Sequence, residues 1–343
     1  MREVFAALLM YMDQGQACVL VSAVGGEGSA PRKTQSHMLV DCSGHVCGTV
    51  GGGAVEGNSI AYARSLLDQK VSSLRTFELY EQAAEDIGMI CGGRVYVHFR
   101  HVSPEDASVR ALAQSAVHAL SSGTDTWLFI NLQTHTLSLY DGETLTGDQI
   151  PEGVITNRNR SAMICEEHAC TYYAEQLSCS DRVYIFGGGH VAQALVPVLA
   201  SVDFRCVIVE DREEFCKKEL FPKAQDVLLL AESDWKNVLH ITSGDCICIM
   251  TRGHKNDLAC QAFALKTQAG YIGVIGSRRK VAAVNAQLRA MGFSDEQIAR
   301  IITPIGLEIG AVTPAEIAVS IAAQMIAHRA KTKKEDMKKS CMG

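Results

Sequence analysis

Glycines near the middle of the chain have the clearest chemical signature. An apolar run over 182–186 leads into Gly187-Gly-Gly-His-Val-Ala192, and an acidic pair, Glu210-Asp211, ends the next apolar run. This order is typical of a dinucleotide-binding turn, where glycine backbone approaches a pyrophosphate at a helix start and a carboxylate accepts from a ribose hydroxyl. A strand-to-helix turn that binds nothing is the alternative. The candidate nucleotide contacts are Gly187, Gly189, His190 and Asp211.

Three further segments have the composition of an anion site. They are a basic loop over 28–33, a glycine run before a helix over 51–56, and a glycine, a serine and three cations over 276–280. Backbone N–H groups at a helix start and charged side chains both suit a phosphate. A solvated basic helix start remains the alternative for the last segment. The candidate contacts are Ser29, Arg32, Lys33, Gly51, Gly52, Gly53, Glu56, Gly276, Ser277, Arg278 and Arg279.

Two other positions are candidates for chemistry. Cys91 precedes Gly92 and Gly93, which allow close approach of a bulky ligand, and a thiolate is a good ligand for a soft metal. We predict a metal contact or sulfur carrier at Cys91, and a buried, inert thiol is the alternative. His254 and Asp257 form either an acid/base pair or a helix cap with a dipole-complementing carboxylate.

The elements that position these residues follow from hydrophobic patterning. Fully apolar strands alternate with helical segments after residue 181, which predicts a parallel sheet covered on both faces. A capping box at Thr313-Pro-Ala-Glu316 begins the last helix. The predicted strands cover 182–186, 206–210, 226–230, 245–250 and 271–275.

The fold class is therefore α/β, with an N-terminal α+β domain and a C-terminal Rossmann-like, doubly wound parallel sheet. We expect the first domain over 1–103, an extension and link over 104–180, the Rossmann-like domain over 181–330, and a mobile, lysine-rich tail over 331–343.

Composition restricts the partners. The chain has 343 residues, a formal net charge of −6 and an isoelectric point near 6.0, so no general attraction to nucleic acid is expected. It lacks an apolar run of the roughly 18 residues that a membrane span needs, and it shows no export signal. A cytoplasmic protein with mostly reduced cysteines, no membrane association and small-molecule or protein partners is expected.

Taken together, the motifs resemble the XdhC/CoxI accessory proteins of molybdenum hydroxylases such as xanthine dehydrogenase. The resemblance leaves out only 104–180 and the tail. The blocks that carry it are Gly28-Ser-Ala-Pro-Arg-Lys33, Gly48-Thr-Val-Gly-Gly-Gly-Ala-Val-Glu56, Cys91-Gly-Gly93, Phe186-Gly-Gly-Gly-His-Val191, Ile275-Gly-Ser-Arg-Arg-Lys280 and Pro304-Ile-Gly-Leu-Glu-Ile-Gly-Ala311 with Thr313-Pro314.

The resemblance implies a homodimeric accessory protein that binds molybdenum cofactor (molybdopterin). Such a protein protects the cofactor while a terminal oxo ligand is replaced by sulfur, together with a cysteine desulfurase or sulfurase, and passes it to the apo molybdenum hydroxylase. One departure is Gly253-His254, where relatives often carry Asp-His, and this weakens an acid/base role for that loop.

Two other classes of protein stay open. The Rossmann turn alone would also suit an NAD(P)-dependent oxidoreductase or a nucleotide-sensing regulator. The oxidoreductase hypothesis leaves the second glycine-rich domain unexplained and lacks an evident catalytic acid, so the accessory role is preferred.

Overall fold

In the computed structural model the chain forms two compact units, one built from Met1–Cys179 with residues 333–340 and the other from residues 181–332. The structure describes residues 1–28, 34–78, 93–159, 161–179, 181–252, 254–276 and 278–340. The side chains of 254–255, 278–280 and 333–340 are outside this description.

The first unit begins with an amphipathic helix and an antiparallel sheet. Helix α1 (Arg2–Asp13) buries Val4, Phe5, Leu8 and Met12, as the helical spacing of these residues predicts. The sheet has the strand order β3-β2-β1-β5-β4. Its strands are β1 (Cys18–Gly28), β2 (Thr34–Asp41), β3 (Val46–Gly48), β4 (Ser73–Glu78) and β5 (Gly93–Val102), and helix α2 (Gly53–Gln69) lies between β3 and β4 in sequence.

Residues 104–180, which we expected to be an extension and link, contain a second antiparallel sheet. Helix α3 (Ala107–Ser122) is capped by the Asp106 carboxylate, which accepts from the Val109 N–H. The strand order is β8-β7-β6-β10-β9. The elements are β6 (Thr126–Asn131), β7 (Leu137–Tyr140), β8 (Leu145–Gly147), α4 (Glu152–Thr156), β9 (Met163–Glu167) and β10 (Cys170–Ser178).

A buried polar network lies in the core of the first unit, where the two sheets meet. Nδ1 of His37 is 2.8 Å from Oγ of Ser22, and its Nε2 is hydrogen-bonded to Oε1 of Glu175. The Tyr173 hydroxyl donates to the other Glu175 oxygen and accepts from the Gln35 N–H. Apolar residues from both sheets and from α1 and α3 surround these groups. Both carboxylate oxygens are thus satisfied, as burial requires.

The second unit is a parallel sheet of six described strands in the order β13-β12-β11-β14-β15-β16. When the strands are numbered from β11, this is the order 3-2-1-4-5-6 of dinucleotide-binding folds. The strand order changes direction between β11 and β14, although all strands are parallel. The strands are β11 (Val183–Phe186), β12 (Cys206–Glu210), β13 (Asp226–Leu229), β14 (Cys246–Ile249), β15 (Tyr271–Val274) and β16 (Ile301–Ile302).

Helices separate these strands, so the predicted fold class is confirmed. The predicted capping box is present: the Glu316 carboxylate accepts from the Thr313 N–H, and the Thr313 hydroxyl accepts from the Glu316 N–H. The helices are α5 (His190–Ser201), α6 (Trp235–Val238), α7 (His254–Leu265), α8 (Arg278–Ala290), α9 (Asp295–Ile298) and α10 (Pro314–Ser340).

Helix α10 continues through Ser340, and the mobility expected for residues 331–343 stays a prediction. Lysine, glutamate and methionine are good helix formers, so the backbone conformation continues past the last core residues. Among the described residues, we find no helix that is long and apolar enough to cross a membrane.

The buried network predicts a specific pattern of stability. Replacing His37 with Leu should lower the free energy of unfolding of the first unit by about 3–5 kcal/mol, because the Glu175 carboxylate stays buried without its imidazole partner. Tyr173→Phe removes the hydroxyl that donates to Glu175 and should lower the free energy of unfolding by about 1–2 kcal/mol. Urea unfolding, followed by Trp127 fluorescence in a Trp235→Phe background, measures both.

The double variant His37→Leu/Glu175→Leu is the matched control. It should be more stable than His37→Leu alone, because the buried carboxyl group is then removed together with its imidazole partner. If His37→Leu is no less stable than Tyr173→Phe, the contact between His37 and Glu175 does not stabilise the first unit as expected.

Candidate functional site

The glycine turn after β11 has three distinct backbone environments. Gly187 has φ +105°, and a Cβ there would lie 2.6 Å from the Met250 carbonyl oxygen. At Gly188 a Cβ would lie 2.7 Å from the Phe215 carbonyl oxygen. Gly189 has φ −69°, and a Cβ there would meet nothing within 4 Å. The first two glycines are therefore required by the fold, whereas Gly189 leaves open space beside the start of α5.

Glu210, at the end of β12, is turned towards this turn. Its carboxylate accepts from the N–H groups of Gly188 (2.6 Å) and Asp211 (3.0 Å), and from Nε (3.0 Å) and Nη2 (2.9 Å) of Arg212. Burial alone would raise the pKa of Glu210, but these hydrogen bonds outweigh burial and lower it to about 2. Glu210 is thus an ionised structural group whose oxygens are already engaged.

Asp211 is the accessible carboxylate of the acidic pair, and its contact with a ribose stays a prediction. Its side chain is 52% exposed, and one oxygen lies 3.4 Å from Nδ2 of Asn256 on α7. A side-chain hydrogen bond with Glu210, and to a lesser extent burial, raises the pKa of Asp211. The sequence leaves Glu210 and Asp211 as alternative acceptors for a ribose hydroxyl. The geometry favours Asp211, because the Glu210 oxygens are already engaged. His190, the first residue of α5, is exposed.

The loops after β14 and β15 lie at the same edge of the sheet. Oγ1 of Thr251 donates to the buried Asp257 carboxylate at 2.5 Å, which supports a structural role for that residue. Gly276 follows β15, and a Cβ there would lie 3.8 Å from Oγ1 of Thr303. Ser277 and the side chains of His254, Arg278 and Arg279 lie outside the described residues, so their binding roles stay predictions.

In the first unit, the carboxylate of Glu56 is hydrogen-bonded to the backbone of the glycine run 51–53 and the residue before it. Glu56 accepts from the Thr49 hydroxyl and from the N–H groups of Val50 and Gly52, both at 3.2 Å. The Gly51 N–H donates to Oγ1 of Thr49. The expectation that these N–H groups are free for an external anion is therefore wrong for Gly51 and Gly52. Glu56 itself takes the place of the anion at this helix start.

Four predicted contacts of the first unit, Ser29, Arg32, Lys33 and Cys91, lie outside the described residues. Gln35, two residues after the basic loop, is held by the Tyr173 hydroxyl and has φ +58°. The buried network therefore fixes the backbone just after this loop.

Sequence reasoning missed the order Ser22, His37, Glu175, which is the hydrogen-bond order of a hydrolase triad. Ser22 and Glu175 are 0% exposed, so no substrate reaches the serine, and the group is structural. A signal was available: Ser22 and His37 interrupt apolar strands on the face that packs against the second sheet. Their partner lies 138 residues from His37, which no local pattern connects.

Fold and site together define a two-domain protein in which a Rossmann domain follows an antiparallel α+β domain in sequence. The sequence profile of the XdhC Rossmann domain matches residues 183–325, and that of the XdhC and CoxI family matches residues 11–78. The chain belongs to the XdhC/CoxI family, as the order of its motifs predicted.

Known proteins resemble the chain over most of its length. It is 25% identical to a probable xanthine dehydrogenase subunit of Bacillus subtilis (strain 168), over 92% of this chain and 94% of that protein. It is 24% identical to the uncharacterized protein YqeB of Escherichia coli (strain K12), over 94% of this chain. The match covers 46% of YqeB, so the chain spans about half the length of that relative.

One solved structure shares the fold. A crystal structure described as a xanthine dehydrogenase from Bacillus halodurans matches with a TM-score of 0.76, at 24% identity, over 95% of this chain and 96% of that one.

The open space at Gly189 predicts a loss of ligand without a loss of fold. Gly189→Val should change the free energy of unfolding by about 1 kcal/mol or less, because its φ suits any residue. It should abolish binding of pyrophosphate, the probe for this site, measured by calorimetry. Gly187→Val is the control and should cost about 3 kcal/mol or more through backbone strain and overpacking. Unchanged pyrophosphate binding by Gly189→Val would contradict the site.

The low pKa of Glu210 predicts a pH-dependent contribution to stability. This contribution is complete above the ordinary glutamate pKa near 4.5 and is lost as the pH falls towards about 2, because the unfolded chain takes up the proton first. Glu210→Gln should therefore be about 2–3 kcal/mol less stable at pH 7, with a difference that shrinks below pH 4.5. Trp235 fluorescence in a Trp127→Phe background reports the unfolding of this unit.

Glu213→Gln is the matched control, since Glu213 is exposed on the same loop. It should follow the parent at every pH. A Glu210→Gln deficit that stays constant down to pH 2.5 would show that Glu210 does not supply the pH dependence.

Proposed function

We propose that this protein is an accessory factor in the maturation of a molybdenum hydroxylase of the xanthine dehydrogenase type. The observation that carries the proposal is the match of both domains to the family, with an end-to-end relative named as a probable xanthine dehydrogenase subunit. In this role the protein binds molybdenum cofactor as cargo, supports its sulfuration and inserts it into the apo-hydroxylase.

The cargo is a pterin dithiolene that ends in a phosphate, and the second unit offers a place for that phosphate. The space beside Gly189 opens onto the start of α5, where the first N–H groups of a twelve-residue helix lack partners within the helix. At Gly187 and Gly188 a side chain would meet backbone. Of the three glycines in this turn, only Gly189 therefore leaves room for a ligand.

In the first unit the proposed contacts for the cargo are mainly cationic. Because Glu56 already engages the N–H groups around the glycine run, a phosphate there would be held chiefly by Arg32 and Lys33, with Ser29 as a neutral donor. Cys91 is the proposed sulfur carrier or metal contact. The further partners proposed are a cysteine desulfurase or sulfurase and a second copy of this chain.

A nucleotide-binding role is the second candidate function, as an NAD(P)-dependent oxidoreductase or a nucleotide-sensing regulator. The observation in its favour is the half-exposed Asp211 carboxylate at the end of β12, beside a strand order shared with dinucleotide-binding folds.

Removal of the protein from its host tests the accessory role. The partner hydroxylase should then be folded but inactive, with its molybdenum cofactor absent or unsulfurated. Complementation with Cys91→Ser should leave activity near background if the thiol contacts the metal or carries sulfur. Complementation with Cys42→Ser should restore full activity, because Cys42 is an exposed free cysteine and no proposed contact. Hydroxylase activity and cofactor content after purification are the measurements.

Two results separate the parts of this proposal. A fully active hydroxylase made without this protein would overturn the accessory role. Full activity with Cys91→Ser would remove the role of the thiol and leave binding to the glycine and cationic segments.

A further inference from the structure

Helix α10 has apolar residues on two of its sides. One side packs into the core of the second unit, and its buried residues are Ala318, Ile321, Ala322 and Met325. A second side is turned to solvent and extends over about 22 Å of helix from residue 315 to residue 330. Its exposed or half-exposed apolar residues are Ala315, Val319, Ala323, Ile326, Ala327 and Ala330. A surface helix ordinarily presents polar residues on such a side.

The loop before α10 widens this apolar surface. Of the thirteen large apolar side chains that are exposed in the described part of the chain, five lie within residues 307–326. They are Leu307, Ile309, Val312, Val319 and Ile326, and Val312 is 81% exposed. Single exposed apolar residues are ordinary, whereas a cluster of them marks an interaction surface. We call these five residues, together with the alanines at 315, 323, 327 and 330, the α10 face.

Hydrogen bonds fix the loop against the helix. The side-chain oxygen of Gln324 accepts from the Gly306 N–H at 2.9 Å, and its nitrogen donates to the Gly306 carbonyl oxygen at 3.1 Å. The Leu307 N–H donates to the Ser320 carbonyl oxygen at 3.2 Å, and the Ser320 hydroxyl donates back to the Leu307 carbonyl oxygen at 2.5 Å. The α10 face is therefore preformed, and a partner that docks onto it has little chain to order.

Charges at the two ends of the helix indicate which partner fits. Glu316 lies near the N-terminal end of the α10 face, and the exposed Lys331 follows its C-terminal end. When two copies of α10 pack antiparallel, Glu316 of each copy comes near Lys331 of the other, whereas a parallel pair places like charges together. Antiparallel packing also aligns the two helix dipoles favourably. The loop adds one further charge, Glu308. The charges of the helix are thus complementary to those of a second copy in one orientation.

The apolar side chains match in the same orientation. A two-fold axis between the levels of residues 322 and 323 brings Val319 of one copy level with Ile326 of the other, because each lies about 5 Å from the axis along the helix. Ala323 then lies beside the axis, where its small side chain lets the two helices approach closely. The surface is thus self-complementary, as a two-fold interface between identical chains requires.

We propose that two copies of this chain associate through the α10 face, with their α10 helices antiparallel about a two-fold axis near Ala323. The inference rests on the second copy already proposed as a partner, and it adds the surface and the orientation of the contact. Burial of the α10 face in this contact accounts for the apolar residues that the single chain leaves in solvent.

Sedimentation of the full-length chain tests the surface. The parent should be a dimer, and Val319→Glu/Ile326→Glu should raise its dissociation constant about 100-fold or more, because four carboxylates would enter an apolar contact. Met291→Glu is the matched control, since Met291 is 54% exposed, against 52% for Val319, and lies outside the α10 face. It should dimerise as the parent does. Thermal unfolding checks that each variant is folded.

Engineered cysteines test the orientation, in a Cys42→Ser background that removes an exposed thiol. Under mild oxidation Ala323→Cys, near the axis, should form a disulfide between two copies. Ala315→Cys, at the end of the α10 face, should give no more cross-linked product than the background, because the antiparallel contact separates its two copies. A parallel pair would cross-link at both positions. Non-reducing electrophoresis measures the product.

Three results overturn the proposal: a parent that is monomeric at every concentration, a dimer that Val319→Glu/Ile326→Glu leaves intact, or equal cross-linking at both engineered cysteines. The second of these would keep the second copy as a partner and move the contact to another surface. A monomeric parent would leave the α10 face to a different protein. None of these results decides the accessory role, which is measured on the partner hydroxylase.

Discussion

The second unit depends on one buried carboxylate. Glu210 connects the end of β12 to the backbone of the glycine turn after β11 and to the guanidinium of Arg212, whose central carbon lies 4.1 Å from the Phe215 ring centroid. Two neighbouring strand ends and the loop after β12 are thereby held in one geometry. The next residue, Asp211, is half-exposed and lines the cavity of about 180 Å³ beside the glycine turn. An engaged glutamate and an accessible aspartate are therefore adjacent in the sequence.

In both glycine segments, a glutamate of the protein itself accepts hydrogen bonds from the backbone N–H groups of the turn. A turn that exposes several N–H groups at a helix start needs an acceptor, and Glu56 in the first unit and Glu210 in the second each supply one from the protein itself. A ligand that approaches either turn therefore competes with, or lies beside, a glutamate side chain that already accepts hydrogen bonds from the turn. Hydroxyl groups can donate to such an acceptor directly, whereas a phosphate requires either N–H groups that the glutamate does not engage or additional cations.

Much of the fold is predictable from hydrophobic patterning, and part of the site is not. The parallel strands are continuous apolar runs, which is why 182–186 and 206–210 closely match β11 and β12. Within 126–178, the alternating patterns over 127–131 and 136–140 do indicate two of the five strands, whereas the other three are short or contain polar residues such as Glu175, so the segment was expected only as an extension and link. Sequence located the glycine turns and the acidic pair, but not which carboxylate folds inwards, because side-chain direction depends on tertiary contacts.

The network of Ser22, His37 and Glu175 also constrains how the first unit assembles. Side chains alternate between the faces of a strand, so a slip of β10 by one residue would point Glu175 away from His37. Apolar contacts tolerate such errors at modest cost, whereas an unpaired buried carboxylate does not. The hydrogen bond between His37 and Glu175 thus favours the native alignment of these strands.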